Sequence, residues 1–182
     1  MRIAVLSGKG GAGKTLVAVN LAAACGRAVY VDCDVEEPNG HLFLQPQAVE
    51  TTAVSVLLPQ FDSAKCTGCR TCVNFCRFNA LAFIKEQPLL FPEVCHSCGG
   101  CLALCPEQAV SEKAAPIGVI ERGQARELTV LTGRMNPGNA SGSPIIKALY
   151  RELDKEDALT IMDCPPGSAC LVMESIQDAD YG

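Results

Sequence analysis

The sequence predicts an α/β fold: a mostly parallel sheet wound around a phosphate-binding loop and interrupted by a smaller α+β domain. Three observations carry that prediction. An apolar run, Arg2 to Leu6, leads into Gly8-Lys9-Gly10-Gly11-Ala12-Gly13-Lys14-Thr15 and then into the helix-forming stretch Leu16 to Ala24. Two further apolar runs, Ala28 to Val31 and Leu159 to Met162, each stop at an aspartate, Asp32 and Asp163. Eight of the twelve cysteines are confined to residues 64–112.

Residues Gly8 to Thr15 fit the pattern G-x-x-x-x-G-K-[ST]. In strand–loop–helix context, backbone N–H groups converge on phosphate oxygens at the positive end of a helix. The glycines allow loop conformations barred to residues with a Cβ. Lys14 is expected to reach the β- and γ-phosphates, and the Thr15 hydroxyl to ligate Mg²⁺.

Composition narrows the function classes. At 182 residues, 48% hydrophobic and 19% charged, the chain is globular and long enough for a real core. A net charge of −5 argues against non-specific nucleic-acid binding, which needs clustered Lys and Arg. The sequence opens directly on a strand with no signal-peptide pattern. Its uninterrupted apolar runs fall short of the roughly 18 residues of a membrane span. It therefore reads as cytoplasmic, with neither a nucleic acid nor a membrane among its partners. In such a setting, clustered cysteines bind metal more often than they pair.

The first helix should end near Gly26, and the second strand at Asp32-Cys33-Asp34. That places two carboxylates at the carboxyl edge of the sheet, where open α/β sheets bind ligands. Pro38, Gly40 and Pro46 break up residues 35–47, and Thr51 to Leu58 fits either a short helix or an extended segment.

The cysteine-rich stretch has two matching halves. They are Cys66-x2-Cys69-x2-Cys72-x3-Cys76 and Cys95-x2-Cys98-x2-Cys101-x3-Cys105-Pro106. Both match the bacterial ferredoxin spacing for [4Fe–4S] clusters, in which the fourth cysteine of each run serves the other cluster. Cys66, Cys69, Cys72 and Cys105 should hold one cluster, and Cys95, Cys98, Cys101 and Cys76 the other. Zinc sites instead pair cysteines as two separated C-x2-C knuckles. Arg77 stands where a proline usually follows the fourth cysteine, which bears on the exposure or hydrogen bonding of the second cluster. His96, between two of the ligands, is a candidate tuning residue, and His41 falls in a loop. Ala80 to Phe83 and Leu89 to Phe91, flanking Pro88, should form a hairpin over the clusters.

Beyond it, Gly118 to Glu121 and Leu128 to Leu131 read as strands joined by a turn near Arg122-Gly123. Arg134 to Pro144 reads as a loop. Ile145 to Leu153 is helical by pattern, with Ser143 as N-cap and Pro144 at the first position. The strand ending at Asp163 offers the carboxylate that a Mg²⁺ site needs. Cys25, Cys33, Cys164 and Cys170 lie on or beside apolar segments, where small buried thiols are ordinary.

Taken together, Gly8 to Thr15, Asp32 to Asn39, Gly133 to Gly138 and Asp163-Cys164-Pro165-Pro166-Gly167 resemble the MinD/ParA/Mrp-type P-loop ATPases that carry an inserted two-cluster [4Fe–4S] ferredoxin domain. The resemblance spans essentially the whole chain. It implies a P-loop NTPase fold with a deviant, SIMIBI-like Walker A loop and an inserted α+β bacterial-ferredoxin-like domain. Residues 1–63 and 113–182 would be the ATPase domain, C-terminally incomplete relative to the family, and 64–112 the insert.

Carried over residue by residue, Gly8 to Thr15 bind ATP and Mg²⁺. Lys9 is the lysine that reaches a partner's nucleotide, and Asp34 positions the attacking water. Asp163 is the Mg²⁺-linked carboxylate, and Asp32 sits nearby; the lesser alternative for Asp32 and Asp34 is a role as strand-end caps. The expected partners are a second copy, in a nucleotide-dependent homodimer of the full-length form, and a redox or iron–sulfur acceptor protein. The expected function couples nucleotide state to electron transfer or cluster delivery. The alternative is a non-catalytic ferredoxin-type electron carrier on a nucleotide-binding scaffold.

Overall fold

The computed structural model describes residues 1–168 and 170–182. It divides into two compact units. One comprises Met1–Val54, Gly118–Pro137 and Gly142–Gly182, and the other Ser55–Ile117 with Gly138–Ser141.

In the first unit, β1 (Arg2–Val5), α1 (Lys14–Cys25) and β2 (Val29–Asp32) follow the predicted strand–loop–helix–strand order. Next come the short α2 (Gly40–Leu44) and β3 (Gln47–Phe61), of which the residues from Ser55 onward belong to the second unit. Thr51 to Leu58 is thus extended, as its β-branched run of Val49, Thr51, Thr52, Val54 and Val56 favours. Two helices, α5 (Ser143–Leu153) and α6 (Cys170–Ser175), and the strand β8 (Thr160–Asp163) lie later in this unit.

Among the described residues the main sheet has six strands in the order β1-β8-β2-β7-β6-β3, with β6 spanning Val110–Ala125 and β7 Leu128–Met135. The pairs β1–β8, β8–β2 and β2–β7 are parallel, and β6–β7 is antiparallel. β8 therefore lies between β1 and β2, and the carboxyl ends of all three strands meet at one edge. Its register pairs Asp163 with both Val5 and Asp32. Open sheets hold ligands at such an edge.

The core is apolar and aliphatic, built from Val29, Val31, Val130, Leu131, Ile161 and Met162 of the strands. Ala18, Val19 and Ala22 of α1 pack against it, and Ile145, Ile146, Leu149 and Leu153 form the buried stripe of α5.

Two local expectations are corrected. The β6–β7 turn falls at Arg126-Glu127, not at Arg122-Gly123, and Arg126 takes the left-handed φ of 56°. Gly123 is a packing glycine inside β6, where a Cβ would stand 2.9 Å from Pro46 Cβ. The N-cap of α5 is Gly142, not Ser143. The Ser143 hydroxyl instead donates to Glu174 Oε1 at 2.7 Å.

In the second unit, α3 (Thr71–Phe75) and α4 (Gly100–Ala103) are single turns packed on one another. The antiparallel pair β4 (Leu81–Ile84) and β5 (Gln87–Leu90) is the expected hairpin. Pro88 lies within β5, and the turn is Lys85-Glu86, both at positive φ. That is the sense of φ demanded by a two-residue hairpin loop.

One backbone pattern occurs twice in this unit, offset by the 29 residues that carry Cys66 onto Cys95. Left-handed φ recurs at Gly68 and Ser97 (70° and 51°), at Arg70 and Gly99 (61° and 71°), and at Asn79 and Gln108 (52° and 49°). The repeat extends to burial: Ala80 and Ala109, then Leu81 and Val110, are all buried.

Candidate functional site

The glycine loop leaves β1 and feeds α1, as its sequence requires. Gly11 and Gly13 have φ of 73° and 88°, a region where a Cβ is costly, so glycine is favoured at these two positions. Lys9 is exposed, while Lys14 and Thr15 are half-buried at the helix start.

The segment after β8 is tied to this loop by backbone. Cys164 N–H donates to Val5 O at 3.2 Å, and Gly167 N–H donates to Ser7 O at 3.0 Å. The segment after β2 is tied to β8 in turn, since Cys33 N–H donates to Asp163 O at 2.9 Å.

Asp163 is 1% exposed. Its Oδ2 accepts the Tyr30 hydroxyl at 3.0 Å, and its buried Oδ1 has no hydrogen-bond partner among the described residues. Burial raises its pKa, while the Thr15 hydroxyl, the Tyr30 hydroxyl and the Lys14 ammonium pull it back down. Asp163 is therefore a neighbour of Lys14 and Thr15, with one oxygen left over. A carboxylate oxygen in that position suits a hard cation held also by a threonine hydroxyl.

Asp34 is half-buried, and its pKa is raised by burial and lowered by Lys14. Lys14 thus faces carboxylates from both strand-end segments.

Asp32 has a different environment. Its Oδ2 accepts the N–H groups of Asn39 (3.0 Å) and Gly40 (2.9 Å), and its Oδ1 accepts that of Asp34 (3.2 Å). Burial pushes its pKa up to about 7 against the pull of the Gly40 N–H. These bonds make Asp32 the residue that shapes the 34–40 loop.

Sequence reasoning missed Tyr30 and Gly40. A tyrosine in an otherwise aliphatic buried strand signals a partner for its hydroxyl. Gly40 is required by the same ring, because a Cβ there would stand 2.0 Å from the Tyr30 hydroxyl oxygen.

Cys33 and Cys164 are buried at this strand edge, and burial raises both thiols, Cys164 to about 11. They are protonated packing residues. Cys25 and Cys170 are exposed.

In the second unit the cysteines gather around two recesses. One is lined by Cys66, Cys69, Cys72 and Cys105, closed over by Phe83 and Pro88 of the hairpin. The other is lined by Cys76, Cys95, Cys98 and Cys101, and by Cys72 as well, with Leu81 and Leu90 of the hairpin in its wall. Each run of three cysteines therefore shares its recess with the fourth cysteine of the opposite run.

Ala109 N–H donates to Cys105 Sγ at 3.3 Å. Thr71 Oγ1 lies 3.4 Å from Cys69 Sγ, and that hydroxyl is the main cause of a lowered Cys69 pKa. Burial raises the thiols of Cys72 and Cys101, and the N–H groups of Val73 and Leu102 oppose it. Phe78 stacks on His96 at 3.9 Å between ring centroids, and both residues line the second recess.

Among the described residues no three His, Cys, Asp or Glu side chains converge closely enough to hold a single metal ion. Among the described residues no helix is long and apolar enough to cross a membrane.

Comparison with known proteins adds the following. The CbiA family model, described as the CobQ/CobB/MinD/ParA nucleotide binding domain, matches residues 3–178. Two curated proteins of Methanocaldococcus jannaschii, the uncharacterised proteins MJ0578 and MJ0579, are 29% and 26% identical over 184 and 191 residues. Each match covers 99% of this chain, which spans 65% and 66% of the length of those relatives. Among solved structures, the septum site-determining protein MinD of Pyrococcus horikoshii, complexed with Mg-ADP, is 17% identical at a TM-score of 0.46. The cell division ATPase MinD of Pyrococcus furiosus is 19% identical at 0.46. These two matches cover 98% of this chain, and 54% and 56% of the MinD chains.

Proposed function

The chain belongs to the CobQ/CobB/MinD/ParA nucleotide-binding family, and from that membership we propose that it is a Mg²⁺-dependent ATPase whose cysteine-rich unit is a two-cluster ferredoxin. Its nucleotide state would then be coupled to electron transfer or cluster delivery. One observation carries the iron–sulfur part. The two recesses draw their cysteines from both runs in the crossed sets that two-cluster modules use.

At the nucleotide, the loop from Gly8 to Thr15 would hold the phosphates with its N–H groups. Lys14 would lie against the β- and γ-phosphates, between Asp34 and Asp163. Mg²⁺ would offset charge on the β- and γ-oxygens, held by Thr15 with Asp163 behind it. Asp34 would orient the attacking water, and Asp32 would keep Asp34 in place through its bonds to the loop. Lys9, exposed in the single chain, would complete the charge on the γ-phosphoryl group of a second copy.

In the second unit, Cys66, Cys69, Cys72 and Cys105 would hold one cluster and Cys76, Cys95, Cys98 and Cys101 the other. The clusters would supply one-electron chemistry at potentials set by hydrogen bonds and exposure. The partner would be a redox or iron–sulfur acceptor protein.

The test is anaerobic purification with parallel iron, nucleotide-binding and phosphate-release assays. About eight irons per chain are expected, with ATP binding abolished and iron retained in Lys14→Ala. A colourless, iron-free chain would end the cluster reading. Tight ATP binding without phosphate release at any protein concentration would favour a non-catalytic carrier.

A further inference from the structure

The two cysteine recesses are built on one repeated backbone, so they can be compared position by position. The 29-residue offset carries Cys69 onto Cys98, Arg70 onto Gly99 and Thr71 onto Gly100. In the first recess Thr71 Oγ1 stands 3.4 Å from Cys69 Sγ. In the second, glycine occupies the equivalent position and has no hydroxyl to offer. Packing fixes that glycine, because a Cβ at Gly100 would stand 2.1 Å from Phe75 Cε1. Charge does not separate the recesses: Arg70 and Glu107 line the first, and Arg77 and Glu112 the second. The hydroxyl does.

Resting on the reading that both recesses hold clusters, we propose that Thr71 sets the two apart in potential, making the cluster of Cys66, Cys69, Cys72 and Cys105 the more easily reduced. A thiolate bound to iron has no proton to give, so the Thr71 hydroxyl must donate. Reduction adds one electron to the cluster and increases the negative charge on its sulfurs. A hydrogen bond to such a sulfur therefore favours the reduced state over the oxidised one. The first electron from a low-potential reductant settles on this cluster, and the second electron goes to the other.

The test is an anaerobic potentiometric titration of the full chain with dithionite, followed by EPR, after an iron assay. Two separate one-electron midpoints are expected. Thr71→Val removes the hydroxyl at nearly constant shape, and it should lower the higher midpoint while leaving the other in place. Thr71→Ser should restore the original separation. Thr71→Ala removes the same hydroxyl if valine reduces iron loading. Coincident midpoints in the unaltered chain would overturn the proposal. So would variants at full iron content whose midpoints stay put or move together. A chain that binds no iron fails earlier, at the iron assay, and takes the cluster reading with it.

Discussion

The Tyr30 hydroxyl donates to Asp163 Oδ2 at 3.0 Å, from one parallel strand to its neighbour and out of reach of solvent. The bond leaves Asp163 Oδ1 without a hydrogen-bond partner among the described residues, in a carboxylate whose neighbours include Thr15 and Lys14. Tyr30→Phe should cost about 1–3 kcal/mol of stability, since it strips a buried carboxylate of its donor. It should also weaken Mg²⁺-dependent nucleotide binding. Urea unfolding and ATP titration measure the two effects, and an unchanged midpoint would show that the bond is not formed in solution.

Asp32 gives a dependence on pH. Burial raises its pKa from 3.8 to about 7, so the folded chain holds a proton that the unfolded chain releases. The contribution is fully present below about pH 4 and is lost as pH rises through 7. Asp34 and Asp163 are shifted in the same direction. The nucleotide-free chain should therefore lose stability between pH 5.5 and pH 7.5, a window chosen around the value of about 7. Asp32→Asn should flatten that slope without abolishing it. Chemical denaturation at four or five pH values checks this, and a slope of the opposite sign would count against the buried proton.

Gly40→Ala should destabilise by roughly 1–3 kcal/mol, the usual cost of overpacking. The added Cβ would fall 2.0 Å from the Tyr30 hydroxyl oxygen, while the Gly40 N–H is held by Asp32. Ring and loop cannot both stay. The double variant Gly40→Ala/Tyr30→Phe should recover part of the loss, and strict additivity in a double-mutant cycle would show that the two sites do not interact.

The crossed cysteine sets can be read by pairing substitutions. Cys66→Ser with Cys105→Ser strikes one recess only and should leave about four of about eight irons. Cys66→Ser with Cys76→Ser strikes both recesses and should leave close to none. Equal iron in the two double variants would contradict the crossed assignment.

What the sequence made legible was local. Lys14 and Thr15 follow from a contiguous motif, and the two cysteine runs stand out by their repeated spacing. Strand ends at Asp32 and Asp163 follow from apolar runs that stop. What it hid was produced by packing between distant residues. Gly123 reads as a turn glycine, yet it lies inside a strand because Pro46 crosses it closely. Tyr30 finds its partner 133 residues away, which no local window can reveal. Asp32 looks like its neighbour Asp34, and only the arrival of Asn39 and Gly40 separates a loop anchor from a residue facing Lys14.

Arg70, Ser97 and Gln108 each keep a side chain in a left-handed conformation that glycine would adopt freely. Holding such residues there costs about 1–2 kcal/mol apiece. On the proposed cluster reading, a chain without iron would carry that expense with nothing to offset it, so a protease should cut its turns around Arg70 and Ser97 sooner than those of the iron-loaded chain.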